Sequence, residues 1–417
     1  DRMIVPANLG TPGARNSRAL ANLGPALTGV THAPAVPAAD QPILVTARAA
    51  DPDGVASLTL RYRIDPSPAL ASLPMTDDGS GGDAVAGDGI YSAIVPGQPK
   101  DTVLAFIIEA SDGAVPAAVT RFPAPRDDNG PVRECLVHFG SPVPASSFGT
   151  YRFWITQDSI NNWAAREVLS NERIPGTFVY GNQRIIYDAG ARYSGSPAHQ
   201  DQAAPDYSPV GTPNHYTFDV PSDDLILGTD NLNKVHGSGN NHHDDNTLVR
   251  EVTAYWMARR LGLPQNYKRY VQMFINGARR GSLMEDTQVP NGEVVNEVFP
   301  DDPDGDLFKL AIWYEFGAPA QVLSATGLGE CYLNNYVTTG GVKKRARYRW
   351  NWQGRALHGT ANNYTNVYGL IDAANTPASG PFAQNLSGIA DIEQWMRTFA
   401  LEHAVGNWDS FGYRNQQ

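Results

Sequence analysis

The residues whose types and spacing could do chemistry lie in a few short segments. The last, Gly406-Asn407-Trp408-Asp409-Ser410-Phe411-Gly412-Tyr413-Arg414-Asn415, sets an Asp and an Asn six positions apart on a loop that follows a helical pattern. That pairing suits phosphoryl transfer, because a carboxylate can accept a hydroxyl proton while an amide oxygen reaches Mg²⁺. Asp and Asn are equally common turn residues. Glu251, beside Arg250 near the start of another helical pattern, admits two readings. It anchors a basic residue that holds a phosphate, or it is an exposed first-turn acid favoured by the helix dipole. Asp77, Asp78, Asp83 and Asp88 share a glycine-rich loop. They chelate a hard cation such as Ca²⁺ through oxygen, or they cap backbone N–H groups in a solvated turn; the spacing is not that of an EF-hand. His236, His242 and His243 stand near Asp244 and Asp245 and could ligate a transition metal. The Gly and Asn between them fix no geometry, and Asp245 reads as the cap of the helix that follows.

Other chemistries are excluded by what is missing. No GxxxxGK[ST] loop, HExxH, GxSxG elbow or strand-linked GxGxxG occurs, which argues against a P-loop enzyme, a zincin or a plain hydrolase. The 32 basic and 43 acidic side chains leave a net charge of −11, so nucleic acid is not an expected partner. Forty Gly and 31 Pro follow no repeat, which excludes a collagen-like chain. No run of apolar residues is long enough to span a membrane, and the first residues do not resemble a signal peptide. Two cysteines, Cys135 and Cys331, allow at most one bridge. Sparse Lys and Cys with abundant Asn, Thr, Tyr and Gly suit a protein working outside the cytoplasm.

The positioning elements follow from periodicity. With 417 residues the chain is too long for one compact domain. Residues 1–40 read as a linker or the tail of an upstream domain. Between 41 and 125, short alternating runs at Ile43, Leu58, Tyr91 and Val103 predict an immunoglobulin-like β-sandwich. Residues 126–147 read as a second linker. In 148–417, Thr177-Phe178-Val179-Tyr180 and the run from Arg184 to Tyr193 predict strands. Leu248, Val249, Val252, Tyr255, Trp256 and Leu261 predict a helix ended by Gly262 and Pro264. Asn276-Gly277 between alternating runs predicts a hairpin, and Asp391 opens a helix carrying Ile392, Trp395, Met396 and Phe399. The fold class is therefore α+β.

In order along the chain, Gly190-Ala191-Arg192-Tyr193-Ser194-Gly195, Asp245…Leu248…Arg250-Glu251, Phe274-Ile275-Asn276-Gly277…Gly281…Met284-Glu285, Gly305-Asp306-Leu307-Phe308-Lys309 and Asp391…Trp395…Gly406-Asn407-Trp408-Asp409…Asn415 resemble the CotH family of atypical protein kinases. The chain looks most like bacterial extracellular, multidomain members in which a β-sandwich precedes the CotH domain. The resemblance covers 148–417 and, less specifically, 41–125. It implies a reduced protein-kinase-like domain that binds ATP and Mg²⁺ and phosphorylates a protein. Asp409 would be the catalytic acid/base and Asn415 a metal-side partner. Arg192, Glu251 and Lys309 would lie near the phosphates, and Met284 and Glu285 near the adenine. Two departures are visible: 197–218 holds no Lys or Arg, and the family's W-D-x-D metal motif does not occur by Gln417. The CotH domain thus reads as truncated at its C-terminal end, part of a longer polypeptide.

Whether the protein is an enzyme stays open at this point. The alternative to a secreted kinase is a catalytically inactive scaffold in a surface or matrix assembly, with Ca²⁺ in the sandwich loop. A third reading is polysaccharide binding through Trp350, Trp352 and Tyr364. The basic run Lys343, Lys344, Arg345, Arg347 and Arg349 reads as a solvated strand or loop.

Overall fold

The computed structural model describes residues 11, 13–16, 19–126, 130–165, 172–193, 216–237, 248–310, 333–360, 362–377 and 379–407. They fold as two compact units, one drawn from 1–195, 202–242 and 270–286, the other from 243–269 and 287–417. The division does not fall in the expected linker at 126–147.

The first unit opens with two antiparallel sheets. β1 (Ala26–Ala33), β2 (Ile43–Ala50) and β5 (Ile90–Val95) pair in the order β1-β2-β5, while β4 (Ala71–Met75), β3 (Val55–Ile64), β6 (Val103–Asp112) and β7 (Val119–Phe122) form the other. In β2 the residues Ile43, Val45, Ala47 and Ala49 turn inward on the two-residue period of a half-buried strand. β6 is central, with β3 along one edge and both β7 and β8 (Cys135–His138) along the other. The inward residues of both sheets share one core. All four expected strand runs are therefore present. The boundaries differ, because β1 lies inside the 1–40 segment read as a linker and β8 inside 126–147. β1 is an edge strand whose residues are mostly exposed, and β8 has four residues, so neither leaves a periodic signal.

A closed barrel follows. β9 (Gly149–Trp154), β10 (Ile174–Tyr180), β11 (Arg184–Tyr193), β12 (Tyr216–Asp219), β13 (Asn231–Gly237), β14 (Lys268–Ile275) and β15 (Ala278–Gln288) run in the order β10-β11-β12-β13-β15-β14-β9. Closure comes from a parallel pair, in which Gly149 on β9 sits opposite Val271 on β14. The interior is aromatic: Tyr151, Phe153, Phe178, Tyr216 and Phe218 are fully buried, joined by Trp163 from α1 (Gln157–Ala165). Asn276 and Gly277, both at positive φ, make the expected hairpin turn. The Asn276 amide also donates to the Ile155 carbonyl at 2.8 Å and accepts from the Ile155 N–H at 3.0 Å, which ties the turn to the end of β9.

Sandwich and barrel are continuous. Trp154, Val179 and Tyr187 of the barrel belong to the sandwich core, and the Tyr187 ring meets Phe106 and Phe122 edge to face. Cys135 carries a free thiol buried in that core.

The second unit is mainly helical: α2 (Arg250–Arg260), α3 (Gly292–Val298), α4 (Arg345–Asn351), α5 (Thr365–Ala374), α6 (Phe382–Ser387) and α7 (Ile392–Val405), with the two-stranded sheet of β16 (Leu307–Leu310) and β17 (Trp352–Ala356). α2 starts later than its apolar spacing implies. Val249 occupies the cap position and makes no side-chain cap bond; Asp245, the expected cap, lies outside the described residues. α7 follows the sequence closely: the Asp391 carboxylate accepts from the Gln394 N–H at 2.9 Å, and Gly406 ends the helix in the left-handed conformation.

Two expectations fail in this unit. The basic run is strand or loop only at Lys343 and Lys344, since Arg345, Arg347 and Arg349 lie on α4; Lys343 just before it bonds Asn335 at 2.7 Å and Asp372. Trp352 and Tyr364 are not free for a polysaccharide either. They are buried with Tyr348 and Ile371 in the core of the unit, while Trp350 remains partly exposed.

Candidate functional site

Glu251 lies in the first turn of α2, and its carboxylate accepts from the ammonium of Lys268, the first residue of β14. The Lys268 side chain is 2% exposed and that of Glu251 55%. Tyr255, one turn beyond Glu251, turns its ring toward the same ammonium at 5.2 Å. Glu251 is an exposed first-turn acid, as one of its two readings had it, and it also pairs with a basic residue, Lys268. Lys268 is the functional candidate that sequence reasoning missed. Nothing in Tyr267-Lys268-Arg269-Tyr270 marks it in the sequence, because its burial is set by residues distant along the chain.

The other candidates are distributed between the units. Arg192 is half-buried on β11, in register with Thr217. Met284 is fully buried in the barrel core on β15. Glu285 and Asp286 after it are also buried, and Asp286 accepts from the Tyr151 hydroxyl at 2.5 Å. These residues belong to the first unit; Glu251, Lys268 and Lys309 belong to the second. Lys309 is exposed on β16, opposite Gln353. Asp409 and Asn415 lie outside the described residues, as do His242, His243 and Asp244. The approach to Asp409 is defined: Asn407 donates its backbone N–H to the Glu402 carbonyl at 2.9 Å and its amide to the Glu402 carboxylate.

In the acidic loop, Asp77, Asp83 and Asp88 each offer an oxygen within 4.8 Å of the others. Asp78 does not join them. Its carboxylate accepts from the Ser80 hydroxyl at 2.7 Å and the Ser80 N–H at 2.9 Å, which hold it below the ordinary carboxylate range. Asp77 accepts from the N–H groups of Gly87, Asp88 and Gly89, and Asp83 from that of Gly79. The turn-capping reading is thus realised, and three of the four carboxylates still converge.

Residues 239–416 match the model of the family described as CotH kinase protein, and a CotH domain is present in this chain. The match takes in Glu251, Lys268, Met284, Glu285, Lys309, Asp409 and Asn415, whereas Arg192 and β9–β13 precede it. No curated protein matches the chain.

Proposed function

We propose that the protein is a secreted or surface-bound bacterial CotH-type kinase that transfers the γ-phosphoryl group of ATP to a protein. The observation that carries this reading is the Glu251–Lys268 pair within the matched family domain. A buried ammonium oriented by a carboxylate and an aromatic face fits polyphosphate oxygens in its donor chemistry. The remaining roles are carried residue by residue: Asp409 accepts the acceptor hydroxyl's proton, Arg192 and Lys309 attend phosphates, and Met284 and Glu285 attend adenine. Asn415 would hold Mg²⁺, which when bound neutralises charge on the transferring group. The test is labelled-phosphate incorporation by the full-length protein with Mg²⁺, set against Asp409→Ala. Loss of label in the variant supports the assignment, and equal label removes Asp409 from the reaction.

A second reading, an inactive extracellular scaffold built on an immunoglobulin-like sandwich, is favoured by the core that sandwich and barrel share. Asp77, Asp83 and Asp88 would supply part of a Ca²⁺ oxygen shell in it. Micromolar, Mg²⁺-dependent ATP binding would rule strongly against this alternative.

A further inference from the structure

The second unit holds a cavity that the phosphotransfer reading leaves unused. It measures about 1080 Å³ and is lined from β16, β17, α5 and the first part of α7. That volume lies at the upper end of the range for small-molecule sites. Strand alternation sets one wall: Phe308 and Leu310 of β16 line the cavity, while Lys309 between them stays exposed on the other face. Phe308 meets Trp352 of β17 edge to face at 6.4 Å. Trp395 and Phe399, one turn apart on α7, make a second such pair at 5.9 Å. Phe299 and Ile389 also belong to the lining and are exposed, so the cavity opens to solvent. Gly369 lines it from α5, where the missing side chain leaves space: a Cβ there would only touch the Ile389 Cδ1, at 3.6 Å.

The charge of this lining is one-sided. Among the described residues it includes Asp306 and Asp391 and no Lys, Arg or His; its other polar side chains are neutral hydroxyls and amides. Asp391 caps α7 and offsets the positive end of that helix. Asp306 is oriented by the His358 N–H, which donates to one carboxylate oxygen at 2.9 Å; the other oxygen has no partner among the described residues. The loop between Phe299 and Phe308 adds the exposed Asp301, Asp302 and Asp304, the last 3.8 Å from the His358 ring. We propose that the cavity binds a small organic cation, an apolar or aromatic body carrying a quaternary or protonated amine, with its charge set beside Asp306 and its body among the rings of Phe308, Trp352, Trp395 and Phe399. Aromatic faces attract an ammonium group through their quadrupole, and most strongly where water is displaced. An anion would meet the acids of the loop instead. A neutral apolar ligand would strip water from the Asp306 carboxylate without compensating it.

The experiment is calorimetric titration of the full chain at pH 7.5 with benzyltrimethylammonium, in the absence of ATP so that binding is read apart from phosphotransfer. One site with a dissociation constant of about 1 mM or tighter is expected, with benzenesulfonate, an anion of similar size, weaker by at least about tenfold. Asp306→Asn, whose amide oxygen still accepts from the His358 N–H, should weaken the cation by about tenfold. Gly369→Leu places a side chain in the cavity at a helical position without positive φ, and should abolish binding while far-UV circular dichroism and the thermal midpoint are retained. Should Gly369→Leu disturb α5, Asp306→Asn decides alone. No heat of binding up to about 10 mM cation overturns the proposal. So does benzenesulfonate binding as tightly, or an unchanged cation affinity in Asp306→Asn or in a folded Gly369→Leu.

Discussion

The Lys268 ammonium is buried against an exposed carboxylate, that of Glu251, so the two members of the pair are unequal. Removing Glu251 takes a carboxylate away from a buried ammonium, whereas removing Lys268 leaves an acid that water can solvate. Glu251→Gln is therefore expected to lower stability by about 1–3 kcal/mol, and Lys268→Met by less. Urea denaturation of the two variants at pH 7 checks the order. In the phosphotransfer assay both should lose label, Lys268→Met the more.

His32 ties stability to pH. Burial lowers its pKa from 6.5 to about 4. Between those values the unfolded chain binds a proton that the folded chain does not, so stability contributed by the neutral ring is full above 6.5 and lost as pH falls toward 4. The loss is roughly 3 kcal/mol, and His32→Gln should flatten the curve over this window. Denaturant midpoints at pH 7, 5.5 and 4.5 measure it.

Gly277 adopts φ +78 in the hairpin turn and faces the His138 ring. An alanine there meets both backbone strain and the imidazole. Gly277→Ala is expected to cost about 1–3 kcal/mol, while Asn276→Gly keeps the turn but loses the two bonds to Ile155. Thermal midpoints of the two variants separate these effects.

Asp391 caps α7, the helix that leads to Asp409. Asp391→Ala should lower stability by about 1 kcal/mol and Asp391→Asn by a few tenths, as read by urea denaturation. A cap loss that also reduced phosphate incorporation would indicate that α7 sets the position of the loop after it.

Much of this architecture could be read from local pattern. The inward residues of β2, the Asn276-Gly277 turn and the Asp391 cap each depend on neighbours within a few residues, and each stands where expected. What escaped is set by distant partners. β1 is an edge strand recognisable only once β2 is beside it, and the short β8 takes its identity from β6. Arg345 to Arg349 alternate with Tyr348 and Trp350, a pattern that looks like a solvated strand until Tyr348 is seen at 0% exposure beneath α5 residues such as Ile371. Of the candidate site, Glu251 was visible as a first-turn acid. Its partner was not, because a lysine at the start of a strand reveals nothing about burial without the helix that covers it. The acidic loop was legible as a cluster, yet Asp78 could not be distinguished from its neighbours before its bonds to Ser80 were known.

The parallel pairing of β9 with β14 has a consequence for biosynthesis. Gly149 leaves the ribosome long before Val271, its partner across the seam. Until then one border of β9 is unsatisfied, and the nascent chain carries an adhesive rim of aromatic-rich strand. The sandwich strands, β8 included, are all translated well before that point and offer a folded surface able to shelter this half-built ring while the remaining staves are still being made.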